Sequence, residues 1–197
     1  NDYIRINSSQ SELLNDLSVS GVSKKLFLKK EINDFILNNY KNSKFISSKI
    51  FNQDRCEFKN FSDYENSKII SPFLELQNKD FDLLFDKISK SKKILDIAKN
   101  YLGHVKKIEI KLTYSPVVNL EDDQREKYRQ TVNWHYDVHD LNFIYVFFYI
   151  TGANRLSGAQ EVIIKSHKKK KFFKHLIGSA IQSDDSLKSY YDKRNFF

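Results

Sequence analysis

At Gly103 the spacing of apolar residues changes, and that change restricts the chain to folds in which helices come before strands. Ahead of it, Ser11-Glu12-Leu13-Leu14-Asn15-Asp16-Leu17 sets apolar side chains at helical intervals, with Gly21 as a stop. Residues 28–40 place Ile32, Phe35, Ile36 and Tyr40 along one helical face. Residues 80–102 keep the same period from Phe81 to Leu102, which predicts one helix, or two divided around residues 89–92, closed by Gly103. Residues 42–78 are polar and mixed, and are expected to form loops with short strands.

Beyond Gly103, "KKIEIKLTYS" alternates Ile108, Ile110 and Leu112 against Lys107, Glu109 and Lys111, the pattern of a half-buried strand. Pro116 breaks it, and "NLEDDQREKYRQ" reads as a charged surface excursion. "TVNWHYD" resumes an extended segment, and residues 143–151 are apolar on both faces, as in a central strand. The turn-rich "TGANRLSGA" leads to a strand at 160–164. The expected class is α+β in a single domain spanning 1–197, mainly helical over 1–103 and sheet-forming over 104–197.

Composition narrows the function classes. A chain of 197 residues with 40% apolar content can fill one core, and scarce Gly (5) and Pro (2) exclude collagen-like, linker-like and disordered chains. Cys56 is the lone cysteine, so no internal disulfide forms and a reducing, cytoplasmic setting is expected. No charged-then-apolar leader opens the chain, and the longest oily run, 143–150, is too short to span a bilayer. Net charge is +8, but most of the 33 basic residues are Lys rather than Arg, the better phosphate fork. A solvated Lys-rich surface is therefore favoured over a nucleic-acid partner. The basic run in "SHKKKKFFKH" reads the same way, against contact with an acidic substrate or an anionic membrane.

The densest chemistry lies in "WHYDVHD". On an extended segment His135 and Asp137 point to one face and Tyr136 to the other. An imidazole and a carboxylate so placed can grip one metal ion, and with a second His they complete the facial triad of non-heme Fe(II). A His-X-Asp pair alone is common by chance, so its surroundings decide its weight.

Those surroundings run "WHYD", "FFYIT", then "SGAQEVIIKSHK", preceded by "ILDIAKNYLG" and a strand. Over 94–171, and most specifically over 134–168, the sequence resembles the phytanoyl-CoA dioxygenase-like family of Fe(II)/2-oxoglutarate-dependent oxygenases. That family typically shows Trp-His-X-Asp, an oily strand ending near Tyr-Leu-Thr, Asn-Gly-Pro, and Gly-Ser-His-Lys. Gly158 and His167 stand at the family's spacing. The resemblance implies a double-stranded β-helix (jelly roll) with flanking helices, Fe(II) as metal, and 2-oxoglutarate and dioxygen as cosubstrates. It implies His135 and Asp137 as iron ligands. Because Asp137 keeps the carboxylate that halogenating members lack, it also implies hydroxylation of a substrate carbon. Tyr114, Asn133 and Tyr149 are candidates to hydrogen-bond 2-oxoglutarate, and each is equally open to ordinary packing.

The sequence departs from the family at several points. Gly158-Ala159-Gln160 replaces Gly-Pro and its apolar neighbour, and Lys165 stands where the family has Gly before Ser-His. The second His ligand and the Arg that clamps 2-oxoglutarate are expected beyond Phe197, with the remaining strands of the roll; the chain contains no Met, even at its first residue. Within the chain, His175 is the substitute ligand with the best claim. His139 would crowd the pair, His167 suits a structural turn, and His104 suits a helix end. Asp140 suits a turn cap, and Cys56 has no neighbour that would activate it. The first expectation is an oxygenase acting on a small or conjugated anionic metabolite, such as an acyl-CoA, acidic sugar or carboxylic acid. Two alternatives stay open: a catalytically inactive jelly-roll binding protein, and a Lys-rich binder of nucleic acid or membrane surface.

Overall fold

A side-chain cap sets the start of the first helix. Ser9-Gln10-Ser11-Glu12 forms a reciprocal box: the Ser9 hydroxyl accepts from the Glu12 N–H and the Glu12 carboxylate accepts from the Ser9 N–H, both at 3.2 Å. This starts α1 (Gln10–Ser20), and Gly21, at φ +82°, ends it in the left-handed conformation that Gly adopts most readily. The structure is a computed structural model and describes residues 3–47, 54–67, 69, 71, 73–116, 143–154 and 159–168.

The elements run β1 (Ile4–Ile6), α1, β2 (Leu26–Leu28), α2 (Lys30–Asn39), a 3-10 turn at Tyr40–Asn42, β3 (Lys44–Ser47), β4 (Glu57–Phe58), α3 (Phe61–Ser67), β5 (Leu74–Gln77), α4 (Lys79–Ser89), α5 (Lys92–Leu102) and β6 (Leu112–Tyr114), with a second 3-10 turn at Ser166–Lys168. Strands β1 and β2 pair as a two-stranded sheet. The class is α+β with antiparallel pairing in the larger sheet. Among the described residues that sheet is open, in the order β4-β3-β5-β6, and is not a closed barrel. No helix among the described residues is long and apolar enough to cross a membrane.

The chain divides into two compact units. The first comprises Asn1–Arg5, Leu28–Asp96 and Val105–Arg129. Its sheet register puts Phe45 opposite both Phe58 and Leu76, Leu76 opposite Leu112, and Leu74 opposite Tyr114, so these side chains share one face. Tyr40, Phe61 and Tyr64 pack onto that face. Phe45 is wholly buried and meets Phe61, Tyr64 and Tyr114 at ring distances of 5.6, 6.3 and 6.1 Å. Burying such a ring contributes about 1.5–3 kcal/mol, and well-placed ring pairs add to it. In α4, Phe81, Leu84 and Ile88 are buried along one stripe, and Phe35 of α2 meets Phe81 edge-on at 6.0 Å.

The second unit comprises Ile6–Phe27, Ile97–His104 and Gln130–Phe197. Its described core is Leu13 and Leu17 of α1 with Ile97 of α5, against which Ile6, Leu14, Leu26, Tyr101 and Ile144 pack.

Three strand expectations need correction. The strand expected over "KKIEIKLTYS", residues 106–115, keeps its alternating exposure, but among the described residues the ladder covers only Leu112–Tyr114. Its partner runs out: β5 ends at Gln77 because the Asn78 side chain caps α4, accepting from the Asp80 N–H at 2.9 Å. Residues 143–149 join no ladder among the described residues, and Tyr145, Val146, Phe147 and Tyr149 are exposed. The strand expected over 160–164 is reduced to a single bridge residue, Ile163, followed by a turn. β-Preference specifies a side chain suited to a pleated surface; it does not supply a partner. The region read as loops with short strands contains β3, β4 and β5, together with α3, which its polar sequence gave no reason to expect.

Candidate functional site

The expected metal-ligand candidates His135 and Asp137, with Asn133, His139, Asp140 and the candidate substitute His175, lie outside the described residues. Among the described residues, no group of three or more His, Cys, Asp or Glu side chains is placed to hold a metal ion. Tyr114, Tyr149, His104, Cys56 and His167 are described.

Tyr114 stands on β6 inside the aromatic face of the first unit. Its ring lies 5.4 Å edge-on from Phe61 and 6.2 Å from Tyr40 in a stacked arrangement. Burial, then the neighbouring Tyr40 and Glu65, pushes its phenol above the ordinary value, so it stays neutral. The ring serves packing. Tyr64 beside it is raised by burial first, then by Tyr114 and Glu65.

In the second unit, Tyr149 is half exposed and its hydroxyl accepts the Gln160 N–H at 2.7 Å. That bond ties the aromatic run to the residues just past the turn-rich connection. The hydroxyl proton remains able to donate to a ligand oxygen. Along the run, the Phe143 and Tyr145 rings lie 5.3 Å apart and those of Tyr145 and Phe147 5.4 Å, so alternate residues share a face.

The Ser-His segment forms a tight turn. The Ser166 N–H donates to Ile163 O at 3.1 Å and the Lys168 N–H to Lys165 O at 3.2 Å. Lys165 takes φ +67°, a left-handed conformation that costs a non-glycine residue about 1–2 kcal/mol. The turn abuts the end of α1: the Lys165 N–H donates to Ser20 O at 2.8 Å, and His167 Nε2 lies 3.4 Å from Ser18 O. A Cβ on Gly21 would fall 2.4 Å from His167 Nδ1, and among the described residues that nitrogen is buried with no hydrogen-bond partner. This seat was not legible in the sequence, where Gly21 signals only a helix stop.

His104 is exposed just after Gly103. The Cys56 thiol is half buried and donates to Asp54 O at 3.4 Å. A hollow of about 340 Å³ in the first unit is lined by Glu75, Gln77, Asp82, Phe85 and Lys111, none of them a candidate ligand. Comparison with family models, with curated proteins and with solved structures finds no match to this chain.

Proposed function

We infer that the chain is an Fe(II)/2-oxoglutarate-dependent oxygenase of jelly-roll fold, acting in the cytoplasm as a hydroxylase of a small or conjugated anionic metabolite. The observation that carries this reading is the ordered series Trp134-His135-Tyr136-Asp137, "FFYIT" and Ser166-His167-Lys168. A structural detail supports it: Lys165 adopts positive φ where the family's motif has Gly, the residue that takes that conformation without strain.

In this reading His135 and Asp137, two positions apart in the sequence, would hold the metal together with a second His. Iron bound with 2-oxoglutarate supplies the means to activate dioxygen and oxidise a substrate C–H bond. Retention of the Asp137 carboxylate favours hydroxylation over halogenation. The net charge of +8 favours an anionic substrate.

The test is an anaerobic titration of the full-length polypeptide with Fe(II) and 2-oxoglutarate, recorded for the visible metal-to-ligand charge-transfer band. The band is expected for the native chain and absent in His135→Ala and Asp137→Ala, along with succinate formation. Undiminished turnover in either variant, or no band in the native chain, overturns the assignment. Salt-sensitive binding of DNA or anionic lipid without iron uptake replaces it with the Lys-rich binder.

A further inference from the structure

We propose that α1 is a brace that grips the oxygenase-like stretch at two separate points, with the ring of His167 as the key to the second. The inference stands on packing and hydrogen bonds alone, whether or not the stretch binds iron.

The first grip is apolar. Ile144 packs against the buried cluster of Leu13, Leu17 and Ile97, which holds the start of the aromatic run. The second is polar and lies on the last carbonyls of α1. The last carbonyls of any helix lack intrahelical donors, and here the turn at 163–168 approaches them. The Lys165 N–H takes Ser20 O, and the His167 ring covers Ser18 O. The Gly21 N–H, for its part, closes back onto Leu17 O at 3.0 Å.

Gly21 is required twice over at this seat. Its φ of +82° disfavours any side chain, and the space a Cβ would take is filled by the imidazole. Nε2 faces the Ser18 carbonyl at 3.4 Å, while Nδ1 is buried with no hydrogen-bond partner among the described residues. Past the cap, Asp16 ties the chain back onto α1 by accepting from Ser23 Oγ at 3.0 Å and pairing with Lys25 at 3.0 Å. The seat is therefore held on both sides of Gly21.

Two grips on one helix couple events far apart in sequence. A change that loosens the start of α1 must loosen the turn at 163–168. A local contact between the turn and its nearest carbonyls would not transmit that change.

Amide hydrogen exchange on the full chain tests the brace. In the native protein the Lys165 amide is expected to exchange about a hundredfold slower than a free chain. In His167→Ala it should speed up about tenfold, and in Ser9→Ala, which removes the cap at the opposite end of α1, about fivefold. Amides of Phe45 and Leu76 serve as controls and should not change. Free-chain exchange at Lys165 in the native protein overturns the proposal, as does an unchanged rate in either variant. Equal acceleration at Phe45 also overturns it, because the whole chain is then opening rather than the brace.

Discussion

Compare "LTY" at 112–114 with "FIYVFFY" at 143–149. The second has much the stronger β-preference, yet the first forms a strand and the second joins no ladder among the described residues. The difference is the neighbour. β6 lies against β5 with Leu74 opposite Tyr114 and Leu76 opposite Leu112, and its inward side chains meet a face already covered by Tyr40, Phe61 and Tyr64. Contacts of the aromatic run include Ile144 in the α1 cluster and the Gln160 N–H that the Tyr149 hydroxyl accepts. A register-matched partner and a covered face make a strand; preference alone does not.

The sharpest way to break this comparison is Phe45→Ala. Phe45 is wholly buried at the centre of the face that receives β6, so its loss should cost about 3–5 kcal/mol in denaturant unfolding. A cost below about 1 kcal/mol would mean that the aromatic layer does not hold the sheet. A smaller effect is expected from Tyr149→Phe, which removes the acceptor for the Gln160 N–H while keeping the ring. The loss should be about 0.5–1.5 kcal/mol, seen as faster exchange of the Gln160 amide. An unaltered Gln160 amide would show that the run is held by something other than that bond.

The smallest effect concerns Glu109, in the unpaired stretch leading into β6. Hydrogen bonds from Lys107 and then Lys111 hold its carboxyl down at about 2. The folded value lies below the ordinary 4.5, so the stabilisation is present above that value and is lost as pH falls toward about 2. The group is solvent-exposed, so the effect is slight and weakens with salt. An NMR titration should find a midpoint near 2 that moves toward 4.5 when Lys107 and Lys111 are both replaced by Ala. An ordinary midpoint in the native chain would show that the charged trio is not formed.

The helices were largely legible in the sequence because their signals are local. The period across 80–102 and its gap near Ser89 correspond to α4 and α5, and Gly21 marks the end of α1. The strands were legible in parity but not in pairing. The alternation at 107–112 persists as alternating exposure, while the number of paired residues depends on β5, remote in sequence. The α1 seat of His167 was illegible for the same reason: residues remote in sequence meet there. His135 and Asp137, adjacent in motif and outside the described residues, rest on the sequence argument and on the titration that tests it.

Asn78 belongs to two elements at once, as the stop of a strand and the opening of a helix. Its position therefore acts as a ruler for the larger sheet. An insertion just before it would let one more residue pair before the helix begins. An insertion just after Glu75 would invert which of the preceding side chains meet the aromatic layer, placing Glu75 where Leu74 now lies.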